Sequence, residues 1–127
     1  MIDGLDHIVL TVRDVSATQA FYERALGLRA ESFGDGRWAL HFGNQKINLH
    51  QAGAEFSPHA AAPTPGSADL CFVTEQPLES VVAKLEDAAV AIELGPVARI
   101  GARGAMISIY FRDPDGNLVE VARYAEG

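Results

Sequence analysis

A carboxylate lies in the middle of an apolar segment near the C-terminus, within the sequence YFRDPDGNLVEVARY at residues 110–124. Leu118, Val119 and Val121 flank Glu120. Burying a carboxylate is unfavourable by several kcal/mol, as an order of magnitude, unless hydrogen bonds or a cation compensate for it. Glu120 is therefore predicted either to face water or to bind a cation.

Other predicted strands also carry side chains that can bind a metal. His7 lies in HIVLTV, Asn48 and His50 share one face of KINLHQ, and Asp69 begins the strand around LCFVT, because side chains alternate across a strand. Imidazoles and carboxylates with open coordination positions suit a divalent ion such as Fe(II), Mn(II), Ni(II) or Zn(II). The pattern predicts such a site, and no organic cofactor is expected.

Each of these residues also has a structural explanation. A strand histidine such as His7 is more often hydrogen-bonded or at an edge than a ligand, and His50 and Asp69 lie near strand ends. Glu120 would be ordinary on the solvated face of a one-sided sheet. The segment DPDG at 113–116 is typical of a turn, because proline fixes φ and glycine accepts a positive φ. As a turn it needs no further role.

Composition excludes several classes of function. With 10 basic and 17 acidic residues among 127, the formal net charge is -7, which disfavours nucleic acids and anionic membranes as partners. Neither a signal peptide nor a membrane-spanning segment is recognisable, so we expect a cytoplasmic protein. The single cysteine, Cys71, lies in the apolar run LCFV and is predicted to be a small buried side chain.

The chain repeats one order of elements. In the first half, HIVLTV is followed by a helix over SATQAFYERALGL and by strands near RAESF, RWALHF and KINLHQ. In the second half, LCFVT is followed by a helix over PLESVVAKLEDAA and by strands AIEL, MISIYF and NLVEVARY. Each half therefore reads βαβββ, with module one at 1–52, a linker at 53–66 and module two at 67–127.

Alignment of the halves pairs His7 with Asp69, and it pairs His41 with Tyr110 and Asn48 with Glu120. The prediction is an α+β fold in which two βαβββ modules form cupped mixed sheets around a central cavity. Polar residues on the first and last strands of each module would converge in that cavity.

Several segments resemble one known family. LDHIVLTVRD, FYERALGL and YFRDPDGNLVEV resemble the vicinal oxygen chelate superfamily, also called glyoxalase/bleomycin resistance/dioxygenase proteins. FGNQKINLH, PTPGSADLCFVTE, GPVARIGARG and ISIYFRDPDGNLVEV resemble its glyoxalase-domain-containing protein five subgroup. The resemblance implies a metal site on the first and last strands of each module. The positions that match are His7, Asn48, Asp69 and Glu120, and His50 is an additional candidate ligand.

The resemblance implies a metal-dependent enzyme acting on a small oxygenated molecule, similar to the glyoxalase I isomerases or lyases. Glyoxalase I has a carboxylate base where Asn48 stands, which leaves Glu120 or Asp69 as the base. Extradiol dioxygenases are the alternative, because Tyr110 and Glu120 match part of their signature and Tyr110 would hydrogen-bond the substrate. The histidine expected before that tyrosine is missing, with Arg103 near its place.

A third hypothesis is a metal-free protein that binds a drug or metabolite. Trp38, Phe42, Tyr110 and Phe111 could line the pocket of such a binder. For a substrate, the expected pocket residues are Asn48, His41, Trp38 and Arg103. Small relatives of this family usually form homodimers, so the resemblance also implies sites shared between the first module of one chain and the second module of the other.

Overall fold

The structure, a computed structural model, describes residues 1–125. The first half contains β1 (His7–Val12), α1 (Val15–Leu26), β2 (Arg29–Phe33), β3 (Arg37–Phe42) and β4 (Gln45–Gln51). The second half contains β5 (Asp69–Val73), α2 (Leu78–Asp87), β6 (Leu94–Gly101), β7 (Gly104–Arg112) and β8 (Leu118–Tyr124). No helix within this part of the chain has the length and hydropathy needed to cross a lipid bilayer.

The two halves have the same topology. The strand orders are β1-β4-β3-β2 and β5-β8-β7-β6, and in each sheet the first pair is parallel while the others are antiparallel. The predicted α+β fold with two mixed sheets and repeated βαβββ order is confirmed.

The registers show which residues are equivalent in the two sheets. Val9 pairs with Asn48 in the first sheet, and Cys71 pairs with Glu120 in the second, so Asn48 and Glu120 occupy equivalent positions. Asn48 pairs with Ala39, whereas Glu120 pairs with Tyr110. The counterpart of Tyr110 is therefore Ala39, and its predicted pairing with His41 was wrong by two residues.

Strand β6 lies further along the chain than predicted. The strand expected at AIEL shares only Leu94 with β6, which continues through Pro96 to Gly101. Gly95 and Pro96 are residue types that favour turns, but β6 is an edge strand with a register shift between Leu94 and Val97. An edge strand tolerates proline at such an irregularity, because no neighbouring strand needs its missing N–H.

Both halves contribute to one hydrophobic core. Asp14 caps α1 by accepting a hydrogen bond from the N–H of Ala17 at 3.1 Å, and Gly27 ends the helix with φ of 70°. The buried side of α1 reaches the second sheet, with ring centroids of Phe21 and Phe111 separated by 6.1 Å. This packing fixes the helix of one module on the sheet of the other.

The segment DPDG does more than reverse the chain. Asp113 is 6% exposed, and its carboxylate accepts hydrogen bonds from the hydroxyl of Tyr22 at 2.7 Å and from the side-chain amide of Asn117 at 2.8 Å. It also accepts hydrogen bonds from the N–H groups of Asp115 and Asn117. Because Tyr22 lies on α1, this buried carboxylate joins the two modules.

A second contact strengthens the same junction. The carboxylate of Asp115 accepts a hydrogen bond from the N–H of Arg13 at 3.0 Å, and the guanidinium of Arg13 donates to the carbonyl of Asp115 at 3.2 Å. Burial, together with the nearby charge of Asp113, raises the pKa of Tyr22 far above its usual range. The Tyr22 hydroxyl therefore remains a hydrogen-bond donor at neutral pH.

Removal of the buried carboxylate should destabilise the protein strongly. We expect Asp113→Ala to lower the free energy of unfolding by about 3 kcal/mol or more, because several buried donors lose their acceptor. Tyr22→Phe should cost about 1 kcal/mol, and Asp14→Ala, which removes only a helix cap, should also cost about 1 kcal/mol. Urea denaturation measures all three. A cost for Asp113→Ala no larger than that of the cap variant would contradict the role of this junction.

Candidate functional site

Each sheet has one face packed in the core and one polar face. The polar face of the first sheet consists of side chains in register with Asn48, and that of the second sheet consists of side chains in register with Glu120. On the first sheet these are His7, Val9, Thr11, Arg29, Glu31, Phe33, Arg37, Ala39, His41, Lys46, Asn48 and His50. On the second the polar members are Asp69, Cys71, Arg99, Ser108, Tyr110, Arg112, Glu120 and Tyr124, and the other members include Val73, Leu94, Val97, Met106, Leu118 and Ala122.

On the first polar face, His7 is oriented by the residue before it. Its Nδ1 lies 2.8 Å from the Oδ1 of Asp6, and this hydrogen bond lowers the pKa of Asp6. An ionised carboxylate can only accept, so Nδ1 is the donor, and in the neutral ring Nε2 carries the free lone pair. This carboxylate–imidazole arrangement is typical of metal-binding histidines. The sequence signal was an aspartate directly before the candidate ligand.

Asn48 and His50 are buried on the same face. They are 9% and 6% exposed, and neither Oδ1 of Asn48 nor Nδ1 of His50 has a hydrogen-bond partner among the described residues. The ring of His50 packs edge-on against Phe56 of the linker, with centroids 5.6 Å apart. Burial, followed by the charge of Arg37, lowers the pKa of His50.

The register separates the two histidines of this face. His50 pairs with Thr11, four residues beyond His7, which corresponds to roughly 13 Å along the strands. Side chains stand nearly perpendicular to a sheet, so the two imidazoles do not converge. Asn48, which pairs with Val9, lies closer to His7. The first sheet therefore brings His7 together with Asn48 and leaves His50 apart.

On the second polar face, Glu120 lies between Cys71 of β5 and Tyr110 of β7. Glu120 is partly buried, and its Oε2 is shielded from solvent without a hydrogen-bond partner in the described chain. Asp69 lies at the exposed start of β5, two residues before Cys71. Two carboxylates thus lie on neighbouring strands of one face.

Cys71 was expected to be buried, and this prediction was wrong. Its side chain points to the polar face with Asp69, and the residue is exposed. The exposure of Cys71 was not evident from the apolar run LCFV, because alternate residues of a strand face opposite sides of the sheet. Desolvation of the thiol by its neighbours, followed by the charge of Glu120, raises the pKa of Cys71 to about 11. The thiol is therefore protonated at neutral pH.

Tyr110 has a partner that the sequence did not indicate. The Nε of Arg99 donates to the hydroxyl of Tyr110 at 2.9 Å, and the guanidinium lies 5.4 Å from the ring centroid. Arg99 lies on β6, whose position was predicted incorrectly, so its side-chain direction could not be deduced. The structure adds Arg99 as a hydrogen-bond partner of Tyr110 on the same face as Glu120.

Three other candidates lie away from this group. Trp38 pairs with Leu49 and therefore points to the core side of its sheet, not to the polar face. Arg103 lies in the turn between β6 and β7, where its guanidinium covers the ring of Tyr124 at 4.2 Å. His41 is on the polar face, but its Nε2 contacts the carboxylate of Glu31 at 3.3 Å. Local register and aromatic packing explain these positions.

A cleft of about 540 Å³ lies between the unpaired edges of β1 and β5. His7 and Asp69 line it together with apolar side chains such as Phe42 and Phe72. Within residues 1–125, however, no three His, Cys, Asp or Glu side chains are close enough to hold a metal ion. The candidate ligands form two partial groups, one on each sheet.

Comparison with known proteins identifies a family and relatives that are similar in sequence along most of the chain. Residues 4–121 match the Glyoxalase/Bleomycin resistance protein/Dioxygenase superfamily. The chain is 56% identical over 124 residues to the virulence protein STM3117 of Salmonella typhimurium, covering 98% of this chain and 86% of that protein. It is 48% identical to the glyoxalase domain-containing protein RDO1 of Mycosarcoma maydis, covering 98% of this chain and 70% of that protein.

Solved structures show the same fold. The crystal structure of STM3117 from Salmonella typhimurium superimposes with a TM-score of 0.96 at 55% identity, covering 98% of this chain and 99% of that one. An antibiotic-binding protein, TnmS3 from a Streptomyces species, superimposes with a TM-score of 0.76 at 20% identity, covering 98% of both chains. At 20% identity, the TnmS3 structure supports only the assignment of the fold.

The buried His50 should make stability depend on pH. Because burial lowers its pKa in the folded state, the unfolded chain binds a proton more readily below about pH 6.5. The free energy of unfolding should therefore decrease as pH falls from about 7 towards 5, and His50→Gln should reduce this slope. Urea titrations at several pH values measure it. His59→Gln, in the exposed linker, is the control, and equal slopes in wild type and His50→Gln would contradict the assignment.

Proposed function

The chain belongs to the glyoxalase/bleomycin resistance/dioxygenase superfamily, and we propose that it is a metal-dependent enzyme acting on a small oxygenated molecule by glyoxalase-like isomerase or lyase chemistry. The observation that supports this most directly is Glu120. Its Oε2 is buried without a partner beside the hydroxyl-bearing Tyr110. A cation would compensate for the unfavourable burial of this oxygen.

The donor groups fit a divalent metal ion. Four side chains can supply ligand atoms to a metal. These are Nε2 of His7, the carboxylate oxygens of Asp69 and Glu120, and the amide oxygen of Asn48, which has no hydrogen-bond partner among the described residues. One nitrogen with several oxygens suits Fe(II) or Mn(II) better than a sulfur-preferring ion. When bound, such a metal polarises the adjacent oxygens of a chelating substrate.

The residues of the chain would then have distinct roles. Asp6 keeps the ring of His7 in one tautomer and orientation. Glu120 holds a carboxylate oxygen that can accept and return a substrate proton, and the hydroxyl of Tyr110 on the adjacent strand can donate to a substrate oxygen. Asn48 cannot act as a base, which leaves proton transfer to Glu120 or Asp69.

A homodimer would complete the site. The ligand groups of one chain remain apart on two sheets, and β1 and β5 both have a free edge. We infer that the first sheet of one chain faces the second sheet of another, so that His7 and Asn48 join Asp69 and Glu120 of a second copy. A closed pair of this kind contains two identical sites.

A metal-free binding protein is the second candidate. The cleft between β1 and β5 is lined by Phe42, Phe72 and Leu70 as well as by polar residues, and such a surface can bind an apolar molecule without a metal. Extradiol dioxygenase chemistry is the remaining alternative within the enzyme class. Oxygen uptake with catechol substrates would support the dioxygenase, and ligand binding in the presence of a strong chelator would support the binder.

Metal analysis tests the leading proposal. Protein purified without a chelator or a metal-affinity tag, and reloaded anaerobically, should contain about one divalent ion per chain by elemental analysis. His7→Ala and Glu120→Gln should each lose most of it, whereas His59→Gln, which alters an exposed linker histidine, should retain it. Wild-type protein that binds no metal after reloading would contradict the proposal and favour the binder.

Subunit mixing tests whether the site is shared. Random refolding of equal amounts of His7→Ala and Glu120→Gln chains should restore about a quarter of the wild-type metal content, because half of the dimers would be mixed and each would contain one intact site. Refolding either variant alone is the control. If wild type binds metal but mixing restores none, the ligands do not come from two chains.

A further inference from the structure

Arg99 and Tyr110 form a fixed pair on the second polar face. The Nε of Arg99 donates to the hydroxyl oxygen of Tyr110 at 2.9 Å, and its Nη1 donates to the carbonyl of Ala98 at 3.0 Å. Two of the three guanidinium nitrogens are therefore held by neighbours, which leaves Nη2 free of these contacts. The side chain is exposed yet oriented.

This contact determines what the tyrosine can do. A guanidinium has no acceptor, so the hydroxyl of Tyr110 must accept the hydrogen bond from Arg99. Its own proton is then free to be donated elsewhere. Tyr110 pairs directly with Glu120, so the tyrosine, and through its hydroxyl Arg99, lie on the same polar face as this carboxylate.

The charge of Arg99 is also uncompensated. The nearby Arg112 is held by Glu93 through two hydrogen bonds, at 3.0 and 3.1 Å. Within residues 1–125, the ion pairs involve other basic side chains and leave Arg99 without a carboxylate partner. A cation that contacts a phenol instead of an acid remains able to attract an anion.

We propose that Arg99 and Tyr110 together bind an anionic oxygen group of the substrate, a carboxylate or a phosphate-type group, beside Glu120. The inference rests on the proposed function for the position of the substrate, and it narrows the substrate class to small acids. Arg99 is in addition a positioning residue, because it keeps the hydroxyl of Tyr110 as a donor.

The chain contains a matched control for this pair. Arg103 also contacts a tyrosine, since its guanidinium lies 4.2 Å from the ring of Tyr124. Tyr124 pairs with Met106, four residues and roughly 13 Å along β7 from Tyr110. Arg103→Gln therefore removes the same type of side chain and the same charge without touching Tyr110.

Anion binding to the metal-free full-length chain tests the proposal. Inorganic phosphate and acetate are titrated separately at constant ionic strength, and the side-chain Nε–H signals of arginine are followed by NMR. Both anions should shift one arginine signal, which disappears in Arg99→Gln. The dissociation constant should rise at least about tenfold in Arg99→Gln and several-fold in Tyr110→Phe, and it should change less than about twofold in Arg103→Gln. Preference for phosphate or for acetate identifies the type of acid.

The outcomes separate this inference from the metal proposal. Glu120→Gln should lose metal but bind phosphate at least as well as wild type, because a repelling negative charge is removed. Anion binding that survives in Arg99→Gln, or that falls equally in Arg103→Gln, would overturn the inference even if the metal site is present. Anion binding without any metal site would instead overturn the metal proposal alone.

Discussion

The buried carboxylate of Asp113 holds the two modules in one relative position. It accepts a hydrogen bond from Tyr22 of α1 while its other contacts shape the turn between β7 and β8. A buried acceptor shared in this way cannot be replaced by water without leaving donors unpaired. The free edges of β1 and β5 therefore keep a defined spacing, and the cleft between them has a defined width.

The candidate ligands are distributed over two sheets by the same topology. In each sheet the first strand lies at an edge beside the last strand, which brings His7 near Asn48 and Asp69 near Glu120. Neither pair suffices for a metal site, and the described chain does not bring three such groups together. Assembly and metal binding would consequently be linked, since each would stabilise the arrangement that the other requires.

Most of the fold could be predicted because β1, α1, β7 and β8 have clear periodicity and clear ends. The position of β6 could not, since Gly95 and Pro96 have the composition of a turn and only the edge position explains them. Asp113 was predicted as a turn residue because local preferences do not show a contact with a distant helix. The direction of Cys71 and the pairing of Arg99 depend on register, which a single sequence does not reveal.

The register equivalence of Ala39 and Tyr110 means that the two modules are similar in backbone but different in chemistry. Beside Asn48 the first sheet presents a methyl group, whereas beside Glu120 the second presents a phenol and a guanidinium. A cavity between two such faces has no internal two-fold symmetry. It surrounds the two ends of a bound molecule differently, so a molecule with two unlike ends binds in one preferred orientation.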